Sequence, residues 1–421
     1  MENHSRRGWA IPALTLFFLT LILSGCGGGG SGGGTVTSGT SCNNGSATYT
    51  PLTAPVTAIA AANRLSFAVK ADGTLWAWGY SSKGQLGDGT TANSVSPVKI
   101  GSGFSTVSAG VGHSLALQSN GDLWAWGDNT YGQLGDGTTT ASNVPKLIGS
   151  NYSAISAGYN FSLGLMSDGT LWAWGNNQVN QLGDGTTTNS FVPKPIGSNF
   201  SAISAGATHA LALKNDGTLW AWGANTYGQL GDGCYVDIAT NTPVCPARNN
   251  TTANSSVPEQ IIDSGVTAIA AGYQYSLATK SDGSLWAWGN NTWFDLGDGT
   301  AVHKYVPTKI NDGGFNAVSA SKYSILGNFF YYHSLALKSD QTLWSWGDNT
   351  FGQLGNGTLT TGKVPTQIPN ISGFIAIAAG EDDHSLAIKN DGSLWAWGSN
   401  LCGELGDGTT TNSKIPIQVS K

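Results

Sequence analysis

Four of the six histidines stand at one repeated position, directly before a short apolar run of the form Ser/Ala-Leu-Ala. They are His113, His209, His333 and His384. Four matching imidazoles could form a ring of metal ligands or of general bases. Three further copies of the run, however, have Leu65, Phe161 and Tyr275 at this position. Because Leu and Phe can neither bind a metal nor transfer a proton, we predict that the position serves packing.

A carboxylate also recurs, in the motif Leu-Gly-Asp-Gly-Thr and its variants. The series is Asp88, Asp136, Asp184, Asp232, Asp298 and Asp407, with Asn356 in the remaining copy. A calcium site needs six or more oxygen ligands close together, whereas each copy here supplies one carboxylate. Asp before Gly and Thr instead predicts a turn in which the side chain accepts hydrogen bonds from nearby backbone N–H groups. We therefore expect no metal site.

Tryptophan pairs form the most conspicuous repeat. Leu-Trp-x-Trp-Gly occurs seven times, and its copies begin at Leu75, Leu123, Leu171, Leu219, Leu285, Leu343 and Leu394. Exposed Trp rings can stack on sugars, but residues that recur in every unit are more simply packing residues. The two indoles of each pair point to the same face of a strand, where they can fill the space between neighbouring units. We predict that both belong to the core.

The rest of the sequence excludes several function classes. No Ser/His/Asp or Cys/His set stands apart from the repeat, and no phosphate-binding loop is present, so we expect neither nucleophilic catalysis nor a cofactor. Only 10% of residues are charged, the net charge is −6, and no run of Lys or Arg occurs. Nucleic acid is therefore not an expected partner.

The repeated residues must be positioned by short strands. Each unit reads as two alternating apolar segments joined by a polar turn, an Asp-Gly turn, the Leu-Trp-x-Trp-Gly strand and a fourth extended segment. Four short strands per unit, seven times, predict an all-β, seven-bladed β-propeller of four-stranded blades. A solenoid is the alternative, but it would need distinct polar caps at its ends. The predicted propeller covers residues 56–419, with units near 56–100, 104–148, 152–196, 200–261, 266–310, 315–368 and 374–419.

The amino terminus has the pattern of a lipoprotein signal peptide at residues 1–25. Arg6 and Arg7 precede an apolar run, and Leu-Ser-Gly-Cys then ends at Cys26. This tetrapeptide resembles the bacterial lipobox, so we predict that Cys26 is lipidated and begins the mature chain. Residues 26–55 form a Gly/Ser/Thr-rich tether. We expect an extracytoplasmic protein held at the cell envelope by its lipid, with the outer membrane favoured where two membranes are present because Gly27 is not Asp.

The repeats resemble those of the regulator of chromosome condensation family. The resemblance covers about residues 56–419, and Val107 to Leu117 is similar to the family's short repeat signature. It implies a seven-bladed propeller. The type member's activity would imply a guanine nucleotide exchange factor, but no exchange residue can be matched position by position.

Candidate binding residues lie where the repeat is broken, because loops on a rigid scaffold commonly carry binding. Unit 4 has an insertion at residues 234–257, and unit 6 has a longer turn at residues 322–332. Trp293 and Phe294 break the pattern in unit 5. The predicted partner-binding residues are Trp293, Phe294, Phe329, Phe330, Tyr331 and Tyr332. The alternative is that these aromatic residues cover one another in an irregular blade interface.

Four cysteines remain after Cys26. Cys234 and Cys245 share one insertion, which predicts a disulfide in an oxidising compartment. Cys42 precedes the first unit and Cys402 lies in the last, so a second disulfide could join the two ends of the ring.

Three function hypotheses follow. The favoured one is a monomeric, envelope-anchored scaffold, not an enzyme, that binds a protein or glycan through loops of a propeller face or the rim. The others are an exchange factor, by family analogy, and an enzyme acting on polymers.

Overall fold

The structure is a computed structural model, and it describes residues 52–53, 55–246, 253–322, 332–381 and 383–420. The predictions for the signal peptide, Cys26, Cys42, Phe329, Phe330 and Tyr331 lie outside the described residues. Within the described ranges, no helix has the length and apolar character needed to cross a membrane.

The predicted fold is confirmed: seven four-stranded antiparallel sheets form a β-propeller. Blade 1 contains β1 (Val56–Ala62), β2 (Leu65–Lys70), β3 (Leu75–Gly79) and β4 (Ser94–Gly101). Blade 2 contains β5 (Phe104–Ala109), β6 (His113–Gln118), β7 (Leu123–Gly127) and β8 (Ser142–Gly149). Blade 3 contains β9 (Tyr152–Ala157), β10 (Phe161–Met166), β11 (Leu171–Gly175) and β12 (Ser190–Gly197).

Blade 4 contains β13 (Phe200–Ala205), β14 (His209–Lys214), β15 (Leu219–Gly223) and β18 (Ser255–Ile262), and its insertion forms a hairpin of β16 (Tyr235–Asp237) and β17 (Thr242–Val244). Blade 5 contains β19 (Val266–Ala271), β20 (Tyr275–Lys280), β21 (Leu285–Gly289) and β22 (Lys304–Asn311). Blade 6 contains β23 (Phe315–Ala320), β24 (His333–Lys338), β25 (Thr342–Gly347) and β26 (Gly362–Ser372). Blade 7 contains β27 (Phe374–Ala379), β28 (His384–Lys389), β29 (Leu394–Gly398) and β30 (Ser413–Gln418).

The hairpin between the second and third strands follows from local sequence. In blade 1, Asp72 Oδ1 accepts hydrogen bonds from the backbone N–H and the hydroxyl of Thr74, and Gly73 takes a φ of 75°. Blade 6 keeps the same turn although Gln341 replaces the glycine and has a φ of 66°. Asp340 Oδ1 still accepts hydrogen bonds from the backbone N–H and the hydroxyl of Thr342. The turn therefore keeps its capping carboxylate although it has lost its glycine.

The two tryptophans of each pair differ in burial, which corrects the prediction that both are core. The second indole is 0% exposed in all seven blades, whereas the first is only half-buried. In blade 2, Trp126 packs against Leu65 and Phe67 of blade 1 in one hydrophobic cluster, and its Nε1 donates to the Gln85 carbonyl at 2.9 Å. The first indole lies nearer the surface, as Trp220 does beneath Lys214. The inter-blade core therefore rests on the second indole.

Ring closure uses the same contacts as every other blade junction. Each blade is built from strands of its own repeat, so no terminal strand completes a distant sheet. Trp78 of blade 1 donates to the Glu404 carbonyl of blade 7 at 2.8 Å, the counterpart of the Trp126 bond. The backbone N–H of Gly408 also donates to the Val95 carbonyl at 3.2 Å. A parallel bridge between Leu52 and Ser420 adds one contact between the two ends of the described chain.

Candidate functional site

The repeated histidines join neighbouring blades and are not exposed to a ligand. All four are 0% exposed, and each Nε2 lies 2.8 to 3.0 Å from a serine hydroxyl of the next blade. Ser162, the partner of His113, gives its own proton to the Gln133 carbonyl at 2.8 Å. The histidine must therefore donate through Nε2–H. Burial lowers the pKa to about 3 for His113, His209 and His333 and to about 4 for His384, so the imidazoles are neutral near pH 7.

Two of the three replacements at this junction are matched by the facing residue; in the third, Leu65 of blade 1, the repeat position opposite in blade 2 keeps Ser114, which donates to the Gln85 carbonyl at 2.9 Å. Where Phe161 replaces the histidine in blade 3, the facing residue of blade 4 is Ala210 in place of serine. Where Tyr275 replaces it in blade 5, its hydroxyl accepts a hydrogen bond from Ser334 at 3.1 Å. A phenyl ring cannot donate a hydrogen bond to a buried serine oxygen, and an alanine leaves no oxygen that needs one. This pairing supports a packing role for the histidine position.

The repeated aspartates stabilise turns. Asp136 Oδ1 accepts hydrogen bonds from the N–H and hydroxyl of Thr138 and from Asn129 Nδ2. Partial burial acts to raise the pKa of Asp136, but the hydrogen bonds from Lys146, Thr138 and Asn129 outweigh it and hold the pKa at about 2. Asn129, which the sequence analysis did not single out, is 0% exposed and ties this loop together. No group of three or more metal-ligating His, Cys, Asp or Glu side chains exists among the described residues.

The three described aromatic residues at the breaks of blades 5 and 6 do not form one surface patch. Tyr332 is 2% exposed and stacks on Tyr273 with ring centroids 5.0 Å apart, so it is a core residue and not a partner-binding one. Trp293 packs half-buried against the same hydrophobic cluster. Phe294 is half-buried and points elsewhere, with Lys363 Nζ 4.9 Å from its ring centroid. Trp293 and Tyr332 therefore fit the alternative prediction, in which the aromatic residues pack together within an irregular blade interface.

Phe294 adopts a backbone conformation that normally requires glycine. Its φ is 65°, and glycine stands at the equivalent position in most other units. At Gly132, a Cβ would lie 2.8 Å from the Cα of Phe191 in the next blade. A bulky side chain with positive φ costs backbone strain, which marks this loop as a departure from the repeat.

Buried acids also collect at the junctions of blades 5 to 7. Asp295 replaces the glutamine found here in five other blades and is 0% exposed. Burial raises its pKa well above the usual value, and the charge of Asp348 adds to the effect. Burial likewise raises the pKa of Asp348, which accepts a hydrogen bond from Gln353. Asp295 thus replaces an uncharged glutamine, whereas Asp348 has a counterpart in Asp128 of blade 2.

A lysine crosses the centre of the ring. Lys322 follows β23 in blade 6, and its Nζ donates to the Ala157 carbonyl of blade 3 at 2.6 Å. Blades 3 and 6 are not neighbours, so this side chain spans the central channel. Burial lowers the pKa of Lys322, and the charge of Glu381 opposes that shift. The channel is thus obstructed by structural side chains at this level.

The inserted hairpin of blade 4 forms a cleft with blade 5. A disulfide between Cys234 and Cys245 closes the base of the hairpin, the pairing that the sequence predicts. Tyr235 stacks on Tyr305 of β22 with ring centroids 3.7 Å apart and an interplanar angle of 6°. This stack holds the hairpin against the outer strand of the next blade. The cleft beside it has a volume of about 360 Å³.

The cleft is lined by aromatic rings and a carboxylate. Tyr227 and His303 meet edge to face with ring centroids 5.3 Å apart, and Asp237 and Ile238 of the hairpin also line the cleft. Ile238 is 64% exposed. The break in the repeat marks the insertion as a candidate region, but it does not identify Tyr227, Tyr235, His303 or Tyr305 as members of one site. The only sequence signal for them was the clustering of Tyr and His in and beside the insertion.

The hairpin surface (Tyr227, Tyr235, Asp237, His303, Tyr305) has side chains of the kinds that protein binding sites commonly use. Tyrosine rings provide rigid, amphipathic contact area, and a disulfide-closed hairpin is already ordered before a partner arrives. No acid pair or nucleophile–base pair lies among its lining residues. The site can therefore stack on and hydrogen-bond a ligand.

Seven four-stranded blades assembled from one repeat define a β-propeller of the repeat-built class. The RCC1-like domain model matches residues 148–421, and the regulator of chromosome condensation (RCC1) repeat matches residues 72–117 and 120–165. The chain belongs to this RCC1-like family, as the resemblance of its repeats implies.

This chain spans only part of the length of the curated relatives that it matches. The ultraviolet-B receptor UVR8 of Arabidopsis thaliana is 29% identical over 172 residues, which are 40% of this chain and 38% of UVR8. The human E3 ubiquitin-protein ligase HERC2 is 33% identical over 132 residues, 31% of this chain and 3% of HERC2.

Solved structures share the fold at low identity. Prp20p from Saccharomyces cerevisiae superposes with a TM-score of 0.69 at 23% identity, over 84% of this chain and 87% of Prp20p. Human WBSCR16 gives a TM-score of 0.63 at 22% identity, over 80% of this chain and 87% of that one.

Proposed function

We propose that this protein is a binding scaffold, anchored to the cell envelope by a lipid on Cys26, and that it engages its partner through the hairpin surface of blades 4 and 5. The observation that carries the proposal is the Tyr-lined cleft formed by a disulfide-closed hairpin that interrupts an otherwise regular ring. The partner is a protein or glycan of the envelope. No catalytic step is part of the proposal.

The repeated polar groups support a scaffold because they already have structural tasks. The imidazoles bond serines of the next blade, and the Leu-Gly-Asp carboxylates cap turns. Such groups stabilise the ring and are unavailable for chemistry. The hairpin surface is different, since its rings and carboxylate line a cleft that is open to solvent.

Relatives lend general support. A crystal structure shows Kap60 bound to yeast RCC1 (Prp20), and a second one describes Prp20p together with its binding to Gsp1p and histones. Those partners belong to that protein. What we transfer is only that a propeller of this fold can serve as a protein-binding platform.

Anchoring is tested by changing the predicted lipidation site. We expect Cys26→Ser protein to leave the membrane fraction, while unaltered protein stays there and its processing is blocked by globomycin. Retention of Cys26→Ser protein in the envelope with unchanged processing would contradict the proposed anchor.

Binding is tested with full-length protein purified in detergent and added to envelope preparations. We expect Tyr235→Ala with Tyr305→Ala to reduce the bound fraction at least tenfold. The control is Tyr131→Ala with Phe191→Ala, which also removes two aromatic rings, with Phe191 at the repeat position of Tyr305, at a junction where no hairpin is inserted and nothing corresponds to Tyr235. An equal loss in both double variants would overturn the hairpin surface as the site. Trp293→Ala tests the blade 5 break in the same assay.

A further inference from the structure

We infer that the cleft between the inserted hairpin and blade 5 is a saccharide-binding subsite. The inference rests on the proposed function and names the class of its ligand. It is carried by the shape of the cleft, its aromatic walls and the hydrogen-bonding groups that remain available there.

The walls of the cleft suit a sugar ring. Tyr235 and Tyr305 stack face to face and stand as one rigid unit, while Tyr227 and His303 form a second aromatic pair. All four side chains are half-buried, so part of each remains accessible. The C–H face of a pyranose packs well on such a surface, and a volume of about 360 Å³ accommodates one or two sugar rings.

The polar groups of the cleft complement hydroxyls. Within the described part of the chain, the hydroxyls of Tyr227, Tyr235 and Tyr305 make no hydrogen bond to protein, and each can donate and accept. Asp237 keeps Oδ1 on the backbone N–H of Ala239 at 2.9 Å, so Oδ2 is the oxygen left to accept from a ligand. A ligand dense in hydroxyl groups matches this mixed set.

The histidine favours a neutral ligand over a cationic side chain. His303 Nδ1 accepts the backbone N–H of Asn291 at 3.0 Å, so the neutral ring carries its proton on Nε2. Partial burial lowers the pKa of His303 and thus keeps the ring neutral near pH 7. An N–H donor lining the cleft pairs with a hydroxyl or carbonyl oxygen of a sugar, whereas a Lys or Arg side chain offers it no acceptor.

The inserted hairpin explains why this blade and not its neighbours would bind a sugar. Tyr131 and Phe191 repeat the positions of Tyr227 and Tyr305 at the junction of blades 2 and 3. There the connection between the third and fourth strands is short, so nothing corresponds to Tyr235 or Asp237. The subsite therefore depends on the insertion.

The test uses full-length protein in detergent and four linear tetrasaccharides, of glucose, mannose, galactose and N-acetylglucosamine. We expect saturation-transfer difference NMR to show binding of at least one, with the strongest transfer to ring C–H protons. Isothermal titration calorimetry of that tetrasaccharide should show affinity at least tenfold weaker for Tyr235→Ala and for Asp237→Asn. Tyr131→Ala should bind as the unaltered protein does.

The outcomes separate this inference from the proposed function. If none of the tetrasaccharides binds, or if Tyr235→Ala binds them equally well, the saccharide inference is overturned. If envelope binding still depends on Tyr235 but N-acetyl-arginine amide competes and the tetrasaccharides do not, the scaffold proposal survives with a protein partner. Unchanged thermal unfolding of Asp237→Asn would show that its lost affinity is not a folding defect.

Discussion

His384 in the last blade and Ser66 in the first are hydrogen-bonded across the seam of the ring, with Nε2 and Oγ 2.9 Å apart and a sequence separation of 318. Ser66 in turn donates to the Glu404 carbonyl at 2.8 Å. The same histidine–serine–carbonyl arrangement occurs at three internal junctions, where the serines are Ser162, Ser276 and Ser385. The seam is thus held by the chemistry that joins neighbouring blades elsewhere.

We expect His384→Ala to destabilise the protein by about 2 to 4 kcal/mol, because it leaves a cavity and removes the hydrogen bond across the seam.

Adding Ser66→Ala to His384→Phe recreates the pair found at Phe161 and Ala210. That double variant should lose less stability than the sum of its single changes, with a coupling of about 1 kcal/mol or more. Chemical denaturation of the four proteins measures the coupling, and simple additivity would contradict the matched-pair argument.

Stability should fall in acid because of the buried histidines. Their folded pKa values, about 3 for His113, His209 and His333 and about 4 for His384, lie below the ordinary value of 6.5. The unfolded chain therefore binds more protons, so this contribution is present above pH 6.5 and declines as the pH falls towards 4 and 3. Thermal unfolding from pH 7.5 to 4 should show the decline, and it should be shallower for His384→Phe with Ser66→Ala.

Replacing Asp295 with glutamine should stabilise the protein at neutral pH. The raised pKa of Asp295 means that its contribution is complete below the ordinary carboxyl pKa of 3.8 and is lost as the pH rises towards the folded value. Asp295→Gln restores the residue used at five other junctions. We expect a higher unfolding temperature at pH 7, whereas Gln133→Asp, the reverse change in blade 2, should lower it. A lower unfolding temperature for Asp295→Gln would show that the buried acid has a stabilising role.

The two tryptophans of a pair should contribute different amounts to the free energy of unfolding. Trp126→Ala removes a fully buried indole and its bond to the Gln85 carbonyl, so we expect a loss of about 3 to 5 kcal/mol. Trp124 is half-buried, and its Nε1 has no hydrogen-bond partner among the described residues. Trp124→Ala should therefore cost about half as much or less. Urea denaturation of both variants decides this, and equal losses would restore the view that both indoles are core.

The pairing of Cys42 with Cys402 remains a prediction. Cys402 is 0% exposed in blade 7, and Arg64 of blade 1 lies near it, with Nη1 3.8 Å from its Sγ. The sulfur thus sits at the seam, where a bridge to the chain ahead of blade 1 would join the two ends. Peptide mapping without reduction should recover a Cys42–Cys402 peptide beside the Cys234–Cys245 one. Alkylation of Cys402 in unreduced, unfolded protein would exclude it.

The sequence by itself determined the propeller, the number of its blades and the packing role of the repeated histidines. All three follow from the sequence repeat. Leu-Trp-x-Trp-Gly recurs seven times, and a position that accepts Leu65 and Phe161 as well as His113 cannot have a catalytic or metal-binding role. The Cys234–Cys245 pairing also followed from local spacing, because both cysteines lie in one short insertion.

Only the tertiary structure decided which tryptophan is buried and where a binding surface lies. Both indoles of a pair lie on one face of a strand, so their different burial depends on how the preceding blade packs over them. Tyr227, Tyr235 and Tyr305 belong to different segments and meet only because the inserted hairpin folds onto the outer strand of blade 5. Local patterns carry information on neighbours within a blade, whereas contacts between an insertion and the next blade are set by the curvature of the closed ring.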